Sequence, residues 1–290
     1  VDLWRTINSH GFSDLPPQIV DPLTRSLGLT LRVPRGAPRR IWVRPGPRRT
    51  AVIDVVGPGR LGAATRESIR TGAAHVLRLD QDLSGFYRAA ALDPELSWVV
   101  TGAGRMLRSP TVWEDVVKTL CTTNCSWSLT VTMVRALVQH LGEPAAGMPS
   151  SPETNAFPTP EVMAAQDEGF YREVVRSGYR APHLRRLARM ASSGELDLEA
   201  LAVGRDQLPD AEIERRLLAL PGIGPYAAAH VMMTLGRNSR LILDSWTRPT
   251  YARLTGRRAV ADRTIERRFR PYGPEAGLAF WSFLTRDWVD

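Results

Sequence analysis

The stretch LPGIGPYAAAHVM, residues 220–232, sets two glycines and two prolines at the mouth of an apolar run. Before it, AEIERRLLA (211–219) repeats apolar residues at helical spacing, and Pro225 suits the first turn of a second helix that ends at Gly236. The pattern predicts two helices joined by a tight hairpin over 218–226. Glycine at 222 and 224 removes the Cβ atoms that would keep another backbone away. It also leaves peptide N–H groups bare at a helix N-terminus, where anions bind. A merely compact helix–helix turn would use the same glycines. Leu220, Pro221 and Ile223 anchor this turn in a core and favour the anion-binding alternative.

Downstream, a basic turn RNSR leads into LILDSWTRPTYARL, which places Asp244 directly behind three apolar residues. A carboxylate there is either the N-cap of a helix over 245–254 or a desolvated acid at the head of a cleft. Both readings stay open at this point.

The bulk numbers bound the chemistry. The chain has 290 residues and a net charge of +8, with 23% charged and 43% hydrophobic residues, the balance of a globular chain. No run of about 18 apolar residues suggests a membrane span, and the opening VDLWRTINSHG lacks the basic and apolar regions of a signal peptide. All but one of the 38 basic side chains are arginine, the exception being Lys118. The charge points modestly to a polyanionic partner. The scarcity of lysine matters more, because a Schiff base needs an amine and Lys118 is the only side chain that could supply one. Two cysteines, Cys121 and Cys125, cannot build a four-cysteine zinc or iron–sulfur site, so neither cofactor is expected. Their spacing puts them on one face of a helix as buried thiols, in a reducing compartment and without a disulfide. His10, His75, His140 and His183 have no partners at metal-ligand spacing.

Residues 27–57 alternate β-branched and polar residues between Pro/Gly/Arg turns, which predicts an antiparallel meander. Helical spacing begins near Asp80. In SPTVWEDVVKTLCTTN, Ser109 is the predicted N-cap and Pro110 the first helical residue, and SWSLTVTMVRALVQHLG follows as a second helix ending at Gly142. EPAAGMPSSPETNAFPTP (143–160) reads as a surface loop, followed by helices near 160–176, 180–193 and 209–219, and others from about 245 and 274. The expected fold class is α+β: an N-terminal antiparallel β domain over 1–79 and a larger helical domain over 80–290.

The hairpin LPGIGPYAA with Asp244 18 residues after Tyr226 resembles the helix-hairpin-helix DNA glycosylases, whose signature is such a hairpin followed by a catalytic aspartate. VVKTLCTTNCSWSLTVTMVRALVQHLG is similar to the helix–loop–helix of their 8-oxoguanine branch, and SGYRAPHLRRLA (177–188) to that branch's G-Y-R-A segment. These motifs span residues 80–290. The N-terminal sheet agrees with the one that precedes the helical domain there and in bacterial 3-methyladenine glycosylases.

The resemblance implies base excision from double-stranded DNA, with Gly222, Ile223 and Gly224 on phosphate. Tyr179 would be a wedge beside the orphaned base, with Arg180 and Asn124 at its edge, types that suit stacking and edge reading. Asp244 would stabilise the sugar cation and position water. Tyr226 departs from the pattern, standing where bifunctional enzymes carry the catalytic lysine; this implies hydrolysis without strand cleavage. Tyr226, His230 and Trp127 are candidates to line the base pocket. Aromatic walls suit an alkylated purine, while the orphan-base motif favours an oxidised one. The competing class is a non-catalytic DNA-binding module. No organic cofactor is implied. The hairpin carbonyls of Leu218, Leu220 and Ile223 would by motif position hold a monovalent cation, Na⁺ or K⁺. A monomer in a bacterial-type cytoplasm, associated with the nucleoid and not with a membrane, completes the expectation.

Overall fold

The computed structural model describes residues 1–289, the side chain of Arg49 excepted, so the last residue of the expected 80–290 range lies outside the described residues. Four strands, β1 (Ile19–Asp21), β2 (Ser26–Leu31), β3 (Arg39–Pro45) and β4 (Ala51–Val56), form an antiparallel meander in sequence order. Pairs such as Leu29 with Ile41 and Ile41 with Val55 fix its register. The meander expected over 27–57 is there, with β1 added before it. The 1–79 segment is not purely β, however. A short helix α1 (Leu3–Ile7) precedes the sheet, and α2 (Ala63–Val76) follows it with Ile69, Ala73 and Val76 buried against β2 and β3. Helical structure after the sheet therefore begins at 63 and not near Asp80. The small and polar residues of AATRESIRTGAAHV dilute the apolar stripe that would reveal it.

The rest is helical: α3 (Ser84–Ala90), α4 (Val112–Thr122), α5 (Trp127–Leu141), α6 (Pro160–Ala164), α7 (Ala181–Ser192), α8 (Asp210–Leu218), α9 (Pro225–Thr234), α10 (Thr247–Leu254), α11 (Asp262–Phe269) and α12 (Ala276–Leu284). Three local expectations change. Thr111, not Ser109, caps α4 by accepting from the Glu114 amide at 3.2 Å, while the Ser109 amide donates to Asp115 at 3.0 Å. The helix expected over 160–176 stops after α6 and resumes only as one wide turn at Phe170–Val174. The 143–160 loop is not loose. It contains a two-stranded ladder of β5 (Glu143–Pro144) and β6 (Asn155–Ala156), and its buried Asn155 donates to Val138 O at 3.0 Å.

The helices share two apolar cores that meet at α9. Ala227, Ala228, Val231 and Met232 face the core of α4, α5, α7 and α8, whereas Ala229 and Met233 face that of α3 and α10–α12. From Ala227 to Thr234 every residue is buried, as expected of a helix apolar all round. Its C-terminus is closed from the N-terminal segment: Arg78 donates to Thr234 O at 2.8 Å, satisfying a carbonyl the helix leaves bare. The head of α9 thus sits at the seam between two lobes.

Candidate active site

The hairpin joins α8 to α9 as predicted. Ala219 N bonds Arg216 O and Leu220 N bonds Leu217 O, so α8 closes in a tightened last turn, and Ile223 N returns to Leu220 O at 3.2 Å. Gly222 adopts φ 76°, and a Cβ there would lie 2.8 Å from Leu120 and 2.9 Å from the His183 ring. Conformation and close approach both demand glycine. Gly222→Ala is expected to destabilise the fold by about 2–4 kcal/mol in denaturant melts. Gly224 has an ordinary φ of −99° and open space around its Cβ position. Gly224→Ala should cost less than about 1 kcal/mol. Among the described residues the amides of Gly222, Gly224, Tyr226 and Ala227 have no internal acceptor, the surplus a helix start leaves for an anion. The Leu218 and Ile223 carbonyls accept no backbone bond either, and Leu220 O keeps one lone pair after bonding Ile223 N. Three neutral carbonyl oxygens of this turn thus keep lone pairs that no backbone amide uses.

Asp244 ends an extended segment held firmly on both sides. Arg237, buried, pairs with Asp210 at 3.0 Å, Asn238 donates to Glu275 at 2.7 Å, and Arg240 grips Glu214 through two nitrogens. The basic turn RNSR therefore braces the fold, with its arginines spent on carboxylates. The Asp244 Oδ1 atom accepts from the Trp246 amide at 2.8 Å and the Thr247 amide at 2.7 Å, which caps α10. Among the described residues Oδ2 has no hydrogen-bond partner, and the residue is half-buried. The two readings of this carboxylate coexist: one oxygen caps and the other is unspent.

Tyr226, in the first turn of α9, packs against both cores and bonds Thr122 Oγ1 at 3.2 Å. Burial raises its phenol pKa, and the Asp244 carboxylate adds to the rise, which puts the two side chains within electrostatic range. His230, one turn on, lies 6.1 Å from Tyr226 between ring centroids but faces inward. Its ring stacks on Phe12 at 4.7 Å, meets His10 edge-on at 5.8 Å, and buries both nitrogens without a partner. It backs Tyr226 and presents no polar atom to solvent. Trp127 is 42% exposed and covers Gly11, so both it and His230 abut the turn Gly11–Asp14, which the sequence had not marked as part of the site. Three tryptophans were also missed. Trp246, bonded to Asp244, lies 5.7 Å from Trp281 and 5.5 Å from Trp288, and Trp246 and Trp288 are exposed. The signal available was Trp246 itself, two residues after the aspartate.

Asn124, Tyr179 and Arg180 come together although they are 55 residues apart. Asn124 takes the left-handed φ of 46° that asparagine tolerates, and its amide donates to Tyr179 Oη at 3.3 Å. Tyr179 is half exposed. Arg180 is buried under the Tyr179 ring at 4.4 Å and donates to Thr123 Oγ1 at 3.2 Å, to Thr123 O and to Ser177 O. As placed it braces the tyrosine, and each of its three nitrogens has an acceptor.

Lys118 lies fully buried, 2.7 Å from Glu114 and 3.4 Å from Leu15 O. Cys121 is buried in α4, burial pushing its thiol to about 12, and Cys125 lies just past the helix with Sγ 3.2 Å from Cys121 O. Among the described residues no cluster of three metal-ligating side chains occurs, and no helix is long and apolar enough to cross a membrane. A cavity of about 510 Å³ between α2, β2 and the start of α4 contains none of the candidate residues.

The buried histidines give this region a pH signature. Burial lowers His230 to about 3 and His10 and His75 to about 4. Between the unfolded pKa near 6.5 and those values the unfolded chain holds protons that the folded chain does not, so stability falls as pH drops from 6.5 to 4. Asp115, raised to about 6 by burial, opposes this over the same window. His230→Phe, which keeps the stack on Phe12, should flatten the slope by up to about 1.4 kcal/mol per pH unit, read from melts at pH 4.5–6.5.

No family model matches the chain, and no curated protein does. Solved structures do. The 3-methyladenine DNA glycosylase of Archaeoglobus fulgidus superposes with a TM-score of 0.76 over 99% of this chain and 96% of its own, at 19% identity. MBOgg1, solved with a low-affinity DNA ligand, gives 0.74 over 99% and 92%, at 20% identity. The 8-oxoguanine glycosylase/lyase of Clostridium acetobutylicum, solved with double-stranded DNA containing cytosine opposite 8-oxoguanine, gives 0.72 over 96% and 92%, at 18% identity. From the N-terminal sheet through the last helix, the chain has the fold of these DNA glycosylases.

Proposed function

We propose that this protein is a monofunctional DNA N-glycosylase, which extrudes a modified base from duplex DNA and hydrolyses its N-glycosidic bond. The observation that carries this reading is the pairing of a bare-amide hairpin with the half-buried Asp244 carboxylate, whose Oδ2 is unspent and which acts electrostatically on Tyr226 in the first turn of α9. The amides of Gly222 and Gly224 would take phosphate, with a monovalent cation on the carbonyls of Leu218, Leu220 and Ile223 supplying further positive charge. Tyr179 would fill the gap left by the base, with Asn124 beside it. Asp244 would stabilise the positive charge growing on the sugar and orient the water that attacks C1′, as the base leaves with the bonding pair. Tyrosine at 226 and burial of Lys118 support release of an intact abasic strand.

An alkylated purine suits the aromatic surroundings of Asp244, because electron-poor rings are held by tryptophan faces. The cluster of Asn124, Tyr179 and Arg180 favours the second reading, an oxidised purine. A duplex panel carrying both classes separates them by single-turnover excision. Gly224→Ala should weaken duplex binding while leaving the melt nearly unchanged, and wild-type binding should fall steeply with salt. Salt-independent binding would contradict a phosphate-gripping hairpin.

A further inference from the structure

Thr122 and Thr123, the last residues before Asn124, are each tied to a different tyrosine. Thr122 Oγ1 lies 2.7 Å from Thr119 O and 3.2 Å from Tyr226 Oη. Thr123 Oγ1 lies 2.8 Å from Leu120 O and 3.1 Å from Tyr179 Oη. A hydroxyl has one proton, and a carbonyl can only accept. Both threonines therefore donate into the closing turn of α4; Thr122 accepts from Tyr226, and Tyr179 donates to Thr123, whose Oγ1 lies at 3.1 Å and whose carbonyl oxygen lies at 3.3 Å. Arg180 Nε donates to the same Thr123 oxygen at 3.2 Å, and Asn124 donates to Tyr179 at 3.3 Å. Whichever of its two oxygens takes the Tyr179 proton, Thr123 is the residue that holds the ring's hydroxyl. The exposed Tyr179 is thus joined to the mostly buried Tyr226 through two consecutive residues of one loop.

We propose that Thr122 and Thr123 are positioning residues that couple the tyrosine facing DNA to the tyrosine beside Asp244, so that insertion of Tyr179 and seating of a base against Tyr226 occur as one movement. The proposal rests on the glycosylase reading. An aromatic wedge that moved independently of the pocket would let a base be extruded without being seated. Ties through adjacent threonines make displacement of Tyr179 shift the anchor of Tyr226.

The test is a double-mutant cycle on Thr122→Val and Tyr179→Phe, whose side chains share no bond. Thr122→Val removes the bonds to Tyr226 and Thr119 O, and Tyr179→Phe removes those to Thr123 and from Asn124 but keeps the ring. Each should slow single-turnover excision about 10-fold. Coupling predicts that the double variant is also slowed about 10-fold, and independence about 100-fold. Thr122→Ser, which restores the hydroxyl, should recover the wild-type rate. Additive losses, or a Thr122→Val variant as fast as wild type, would overturn the proposal. The same cycle is read in the rate of 2-aminopurine extrusion, which needs no bond cleavage. If wild type excises nothing from the panel, the glycosylase reading fails, and non-additive extrusion rates still support the coupling while additive ones refute it.

Discussion

Asp244→Asn is expected to lower single-turnover base excision by about 10²- to 10⁴-fold while duplex affinity and the melting curve stay close to wild type. The substitution is well isolated because the carboxylate has divided duties. Oδ1 holds the Trp246 and Thr247 amides, and the asparagine carbonyl can accept from both. What asparagine removes is the negative charge within electrostatic range of Tyr226, which is the part proposed to face a developing cation. Asp244→Ala is a poorer experiment, since it also deletes the cap of α10 at a cost of about 1 kcal/mol. If Asp244→Asn excised as fast as wild type, the carboxylate would be a cap alone and the group that assists bond cleavage would lie elsewhere.

Lys118→Ala is expected to be the most destabilising single change, by about 3–5 kcal/mol in denaturant melts, because it strands the Glu114 carboxylate in the core. Burial already raises the Glu114 pKa against the pull of Lys118. Without the lysine, the folded form would bind a proton more readily than the unfolded chain, so the deficit should shrink as pH falls. The double change Glu114→Gln with Lys118→Met should be milder than Lys118→Ala, since neither charge is left unpaired. A melt of Lys118→Ala unchanged from wild type would contradict the buried pair. The only side-chain amine that could offer covalent chemistry is therefore built into the packing of α4, and a loss of activity in Lys118→Ala would report unfolding first.

The hairpin was legible because its constraints are local: a periodic helix, a glycine that must take positive φ, and a proline at the next helix start. The meander was legible from its turns. Helix α2 was not, since its register is set by the sheet it covers more than by its own pattern. The spacing from Tyr226 to Asp244 located the carboxylate, but only packing shows that Arg237 and Arg240 brace it through Asp210 and Glu214. His230 illustrates the limit. Its i,i+4 spacing from Tyr226 put both on one face, yet Phe12, more than 200 positions earlier in the chain, turns the imidazole into the core. Arg180 lies under the Tyr179 ring, and most of the acceptors for its guanidinium come from Thr123, far away in sequence. Trp281 and Trp288 reach Trp246 only through tertiary structure.

The most direct measurement is a paired gel assay on end-labelled duplexes carrying an alkylated purine, with half of each reaction treated with hot alkali and a parallel sample with borohydride. Hydrolysis at Asp244 with tyrosine at 226 gives strand breaks only in the alkali-treated half, no trapped protein–DNA species, and neither product with Asp244→Asn. Breaks without alkali accompanied by a trapped adduct, or intact strands after alkali across the alkylated and oxidised bases, would contradict it.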